Sequence, residues 1–314
     1  MSDEPAQNER EVLARVGWAY YEENLTQAQI AELLHVSRPT VARLLERARA
    51  TGVVSISVDT AALGDVALVQ ALKRRYRLQD VVIVPTTGPA SSGIETNSQI
   101  AAAAAHYLRR YLMPGAVIGL GWGDTVLRTL SRLPHQSIGD VTFATLTGGI
   151  DAYLVRVTSG ESPGLNDRIR FAPAPLLASS PAVAAALREE PAVLEVLEAA
   201  RSASATLIGI GAAAPTATIL QHGVISRAQL DDYIRRGAVG DIVGDWYDRD
   251  GELLALDLSQ VRVGLSITEL RSMPNVVAVA GGIDKTRAIE GALVGGYLDV
   301  LVTTEDVAKA LVDS

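Results

Sequence analysis

At 314 residues the chain is long for one domain, and two are expected. Hydrophobic residues make up 48% and aromatics only 4%, and with 27 glycines this is the composition of a parallel β-sheet wrapped by helices. The absence of cysteine excludes disulfides, thiolate zinc sites and a cysteine nucleophile, and a net charge of -8 excludes coating nucleic acid by bulk attraction while leaving room for a local basic patch.

No apolar run approaches the roughly 20 residues needed to span a bilayer, and Met1 to Arg10 is polar and acidic, without a signal-peptide core. A cytoplasmic protein with no membrane contact is expected. His35, His106, His135 and His222 are scattered without HxxxH spacing, so neither a metal nor a cofactor is expected.

Val12, Leu13, Val16 and Tyr20 share one face of a first helix, which Asn24 and Leu25 break. Thr26-Gln27-Ala28-Gln29 is a capping box opening a short helix, with Ile30, Ala31 and Leu34 as its buried face. His35-Val36 makes the turn, at a place where positive φ is usual and where histidine is better tolerated than most residues. Ser37 caps the next helix, Pro39 lies in its first turn, and Val41, Leu44, Leu45 and Ala48 form its inner stripe. Two short helices joined by a tight turn are the helix-turn-helix pattern. The outer face of the second carries Pro39, Thr40, Arg43 and Arg47, with Arg38 and Arg49 flanking. Arginine can bond a guanine edge bidentately, whereas Ser37, Thr40 and the helix N-terminus suit phosphates. Operator DNA is therefore the expected partner, contacted through Gln27, Ser37, Arg38, Pro39, Thr40, Arg43 and Arg47. After Gly52, Val53 to Val58 reads as a strand, a wing or a bridge to the next domain.

From Thr60 helix and strand alternate. Helices are expected over Leu63–Tyr76, Gln99–Met113, Thr125–Leu133 and Pro191–Arg201. Strands are expected over Val81–Val84, Ala116–Leu120, Val141–Leu146, Thr206–Ile210, Val276–Ala280 and Val300–Val302, in mostly parallel order. Lys73, Arg74, Arg75 and Arg77 crowd a helix C-terminus, where cations favour the dipole; a second DNA contact is the alternative. Thr158 to Asn166 reads as an exposed loop.

Several strands end in glycines: Gly119-Leu-Gly121-Trp-Gly123, Gly148-Gly149, Gly209-Ile-Gly211 and Gly281-Gly282. Ligands of open parallel sheets bind at the carboxyl ends of strands, and a glycine-rich turn into a helix presents backbone N–H groups to an anion or a hydroxyl. Tight turns under packed helices would use such glycines equally well. The turn after Leu120 lacks the third glycine of a dinucleotide fingerprint and the Gly-Lys-Ser/Thr of a Walker loop. Lys285 follows Gly281-Gly282 at a helix start, and Asp241 is set in a stretch of small apolar residues. Together beside glycine turns they fit a polar ligand site as well as they fit surface residues or caps; singly each would be a surface residue or a cap.

In this order Gly121-Trp-Gly123-Asp-Thr125, Thr147-Gly-Gly149, Ala174-Pro175-Leu176, Leu207-Ile-Gly-Ile-Gly211, Gly237-Ala-Val-Gly-Asp241, Val277-Ala-Val-Ala-Gly-Gly282 with Lys285, and Leu301-Val-Thr-Thr-Glu305 resemble the SorC-type regulators, the DeoR/central-glycolytic-regulator group. The resemblance runs over nearly the whole chain. It implies an α/β protein with a winged helix-turn-helix domain over 1–58. A Rossmann-like, mostly parallel effector-binding and oligomerisation domain, similar to sugar-phosphate isomerases and deaminases, would occupy 59–314. It implies a homodimer or homotetramer on palindromic double-stranded operator DNA, regulating carbohydrate metabolism under a sugar or sugar-phosphate effector. Gly121, Trp122, Gly123 and Thr125 would hold a phosphate or terminal oxygen, and Thr147, Gly148, Gly149, Asp241 and Lys285 the rest of the ligand. Asp124 departs from the pattern by placing a negative charge in that loop, and the helix expected between Ile150 and Arg168 is hard to see.

An isomerase- or deaminase-like enzyme fused to a DNA-binding module is the competing expectation, with Asp241 as its base. No second acid-base group or nucleophile stands in the same turns, so a regulator without catalysis is expected. A pure oligomerisation scaffold would respond to no small ligand.

Overall fold

The computed structural model describes residues 4–54, 66–86, 93–133, 138–149 and 165–314. They belong to two compact units, the first described to residue 54 and the second from residue 66.

In the first unit α1 (Glu4–Tyr21), α2 (Gln27–Leu33) and α3 (Arg38–Ala50) close over Val16, Ile30, Ala31, Val41 and Leu45. Local chemistry sets each boundary. Asn24, at φ 56°, ends the turn after α1. Thr26 caps α2 reciprocally: Gln29 N–H donates to Thr26 Oγ1 at 3.3 Å and Thr26 N–H to Gln29 Oε1 at 2.9 Å. His35 takes φ 52° in the α2–α3 turn, the left-handed conformation expected there. Ser37 caps α3, its Oγ accepting from Thr40 N–H at 3.3 Å, and Gly52, at φ 70°, follows the helix end. Two side chains depart from expectation. Leu34, read as buried, is 41% exposed because it is the residue on which α2 ends, off the inner stripe; Val12 is 39% exposed at the edge of the α1 face.

The second unit is built on seven parallel strands: β1 (Asp80–Val84), β2 (Val117–Leu120), β3 (Thr142–Thr145), β4 (Ile169–Arg170), β5 (Ala205–Gly209), β9 (Val276–Val279) and β10 (Val300–Thr304). Their order is β1-β10-β9-β5-β2-β3-β4, and every pairing is parallel. Three short strands, β6 (Gly211–Ala212), β7 (Gly240–Ile242) and β8 (Asp245–Tyr247), form a separate antiparallel sheet. Side chains alternate between two cores. Val276 and Ala278 enter one, Val277 and Val279 the other, so both sheet faces are covered and the strands read as continuous apolar runs.

One core packs under α4 (Val66–Tyr76), α8 (Pro191–Arg201), α13 (Thr286–Val294) and α14 (Glu305–Asp313), the other under α5 (Gly93–Leu108) and α6 (Asp124–Ser131). Among the described residues the remaining α-helices are α7 (Pro181–Glu189), α9 (Thr218–Gln221), α10 (Arg227–Arg235), α11 (Asp257–Val261) and α12 (Ile267–Leu270). Helix α5 begins six residues before the expected Gln99: before Ile100 its one large apolar side chain, Ile94, is exposed, so the buried stripe starts only at Ile100. The expected wing strand beyond Val54, the division at 58/59 and the loop from Thr158 to Gly164 lie outside the described residues.

The strand order contains one reversal. From β2 the chain moves outward through β3 to β4, returns to β5 on the other side of β2, then proceeds to β9 and β10. The loops leaving β2 and β5 therefore diverge, and the carboxyl ends of these neighbouring strands border the crevice where open α/β sheets take ligands.

Candidate DNA interface and effector site

On the first unit Arg38, Pro39 and Arg43 are exposed, and Thr40 and Gln27 are half-buried. Ser37 Oγ serves the helix cap and lies 2.8 Å from Thr40 Oγ1. Arg47 is held at 2.8 Å by Glu9 of α1, so part of its charge is answered within the unit. Arg38, at the α3 N-terminus, and Arg43 are thus both open to solvent on α3.

In the second unit the turn Gly121-Trp122-Gly123 leaves β2 beside β5. Gly121 N–H continues the ladder by donating to Leu207 O at 2.8 Å, so this amide is used by the sheet. A β-carbon on Gly121 would stand 3.2 Å from the same oxygen. Gly123 takes φ 132°, a conformation suited to glycine, and starts α6 with no side-chain cap. Thr125 is buried in the first turn of α6. Trp122 is also buried, and its indole Nε1 has no hydrogen-bond partner among the described residues.

Lys285 and Asp241 come to the same crevice. Lys285 Nζ donates to Ile210 O, just beyond β5, at 3.5 Å. Asp241, on β7, pairs in register with Gly211, whose missing side chain leaves room for its carboxylate. Burial pushes the Asp241 carboxyl up to about 6, against a hydrogen bond from Gly244 N–H at 3.3 Å and the attraction of Lys285. Burial lowers the Lys285 ammonium, opposed by Asp284, Asp241 and Asp124. Each charge acts on the other, which ties together two residues 44 positions apart (285 − 241).

Asp124 does not stand alone in the loop. Its Oδ2 accepts from Arg128 Nε at 2.6 Å, one helical turn on, and from Asn97 Nδ2 of α5 at 3.0 Å. The negative charge that departs from the family pattern is thus answered by a neighbouring arginine. Thr147 is buried past the end of β3 and bridges to Gly264. Gly148 N–H donates to Val263 O at 3.0 Å and Gly149 N–H to Ala174 O at 2.8 Å. These two amides therefore serve the fold, and a β-carbon on Gly148 would collide with the Ala174 and Pro175 carbonyls.

Arg128 and Asn97 escaped sequence reading, although Arg128 carried the i,i+4 signal from Asp124. The buried pair Asp245–Arg262, at 2.9 Å, also escaped it, since nothing in the sequence marks a contact across that interval.

A helix-turn-helix unit joined to a parallel sheet with polar groups at its topological reversal is the build of a ligand-controlled DNA-binding regulator. The family described as "Putative sugar-binding domain" matches residues 61–313, and "Sigma-70, region 4" matches residues 18–51. The transcriptional regulator LsrR of Klebsiella pneumoniae is 36% identical over 310 residues, covering 96% of this chain and 93% of its own. LsrR of Escherichia coli K12 is 34% identical, covering 98% and 96%. Among solved structures, the full-length sorbitol operon regulator SorC from Klebsiella pneumoniae superposes with a TM-score of 0.72 at 27% identity, covering 96% of this chain and 98% of its own. The chain belongs to the SorC family of sugar-responsive transcriptional regulators. Its relatives are regulators rather than enzymes, which decides between the two expectations in favour of effector-controlled DNA binding. No described helix is long and apolar enough to cross a membrane.

Proposed function

We propose that the chain is a cytoplasmic regulator of carbohydrate metabolism in which a sugar or sugar phosphate, bound at the strand ends, sets the affinity of α3 for operator DNA. The DNA-binding domain is residues 1–58, and the effector-binding and oligomerisation domain is 59–314. Gln27, Ser37, Arg38, Pro39, Thr40, Arg43 and Arg47 contact the operator. Gly121, Trp122, Gly123, Thr125, Thr147, Gly148, Gly149, Asp241 and Lys285 line the effector site. One helix-turn-helix reads only a few base pairs, so the working form is a homodimer or homotetramer on a palindromic operator.

The observation that carries this reading is the convergence of Lys285 and Asp241 on the crevice between β2 and β5, beside the uncapped start of α6. The lysine donates to a hydroxyl or phosphate oxygen, the carboxylate accepts from sugar hydroxyls, and the buried Trp122 indole adds a donor. Gly148 and Gly149, with their amides engaged, contribute close approach rather than hydrogen bonds. A charged hydrogen bond contributes about 1.5–3 kcal/mol, so Lys285→Ala weakens effector binding at least tenfold in a calorimetric titration. Operator affinity without effector stays as in the parent. Unchanged effector affinity would remove Lys285 from the site.

A further inference from the structure

We propose that Arg262 is an effector contact, its Nη1 donating to an uncharged effector oxygen, a hydroxyl or carbonyl, on the β3 side of the crevice whose β9 side holds Lys285. This rests on the reading of the strand ends as the effector site. The segment Val261–Leu265 lies along the continuation of β3: Gly148 N–H donates to Val263 O at 3.0 Å and Leu265 N–H to Leu146 O at 2.8 Å, with Thr147 and Gly264 bridged between them. From this segment the Arg262 side chain reaches the β7–β8 turn, where a β-carbon on Gly244 would lie 3.0 Å from Arg262 Cδ. Gly244 N–H is the group that bonds Asp241. Arg262 thus lies two residues from the Thr147 bridge, and its side chain packs against the turn whose Gly244 N–H bonds Asp241.

Its hydrogen bonding is incomplete in a way a structural ion pair does not require. Nε and Nη2 grip Asp245 at 3.3 and 2.9 Å, and Asp245 Oδ2 also accepts from Ile267 N–H at 2.9 Å. Nη1 is buried and has no partner among the described residues, and the whole residue is 4% exposed. A buried donor left unmade lowers stability, and native folds keep few of them. The turn beside it is strained as well: Val243, between Asp241 and Gly244, takes φ 49°, an outlier for a β-branched residue. Such strain gathers at ligand clamps. Because Asp245 already balances the guanidinium and Asp241 adds a second carboxylate, a phosphate here would meet two like charges. A hydroxyl or carbonyl oxygen meets only the waiting N–H.

The test titrates the full-length protein with D-ribose, D-fructose and D-sorbitol and with the terminal phosphate ester of each. Arg262→Lys keeps a cation against Asp245 but has no second nitrogen to offer. The double variant Asp245→Leu/Arg262→Leu removes the buried pair altogether, a change that is often neutral or stabilising. Both are expected to bind the tightest probe at least tenfold more weakly, with effector-free operator affinity as in the parent. Should Arg262→Lys, or the double variant where the lysine variant fails to fold, bind that probe as the parent does, Arg262 is structural only. If the parent binds none of the six, the strand-end site itself has failed, and Arg262 with it.

Discussion

Replacing Asp241 with asparagine should make the protein more stable at neutral pH while impairing its effector site. Burial raises the Asp241 carboxyl from 3.8 to about 6, net of the help it receives from Gly244 and Lys285. Each pKa unit corresponds to 1.36 kcal/mol, so the ionised carboxylate costs the fold about 3 kcal/mol above pH 6. The folded state holds a proton that the unfolded chain releases between pH 4 and 6, so stability falls as pH rises through that window. Asparagine has the same shape, stays neutral, and its Oδ1 can still accept from Gly244 N–H. Asp241→Asn and the parent should therefore unfold alike in urea near pH 4, with a gap opening to about 3 kcal/mol by pH 7. For a domain of 150–250 residues that is roughly 2–4 °C of melting temperature per kcal/mol. A variant less stable than the parent at pH 7, or a gap that does not close on acidification, would refute the account of this buried charge.

Arg43→Ala removes a guanidinium from the exposed face of α3 and should weaken operator binding by about 1–3 kcal/mol, as loss of a bidentate base contact does. The effector-induced thermal shift should be unaffected; full operator affinity in that variant would count against the α3 assignment. His35→Gly relieves a left-handed residue at φ 52° and should stabilise the first unit by about 1 kcal/mol. Trp18, the tryptophan of that unit, reports its unfolding; a lower midpoint would show that His35 contributes a contact that outweighs its backbone conformation.

What could be read in the chain was local or periodic. The Thr26–Gln29 box, the Ser37 cap and the left-handed turn at His35 depend on neighbours three or four residues away, and the structure reproduces them. The central strands stood out because both faces of the sheet are covered, which leaves unbroken apolar runs. Leu34 was misplaced because a stripe says where a face lies but not where the helix stops. Strands β6, β7 and β8 are two or three residues long, too short to show alternation, so Asp241 could be singled out as an odd charge without its setting being visible. Gly148 and Gly149 read as ligand contacts, yet their amides are spent on Val263 and Ala174, partners that only the tertiary fold supplies. The same holds for Arg262 and Asp245, buried together with no periodicity to announce them.

The central claim is that the strand-end site and the α3 face are energetically linked. The most direct measurement is operator affinity, followed by fluorescence anisotropy at fixed salt, with and without a saturating concentration of the tightest-binding sugar or sugar phosphate, together with that ligand's affinity for free and operator-bound protein. Linkage requires the same factor in both directions, typically 5–150-fold. The account predicts such a reciprocal change in the parent, shifted to correspondingly higher ligand concentration in Lys285→Ala. A ligand that saturates the protein and leaves operator affinity unchanged would contradict it.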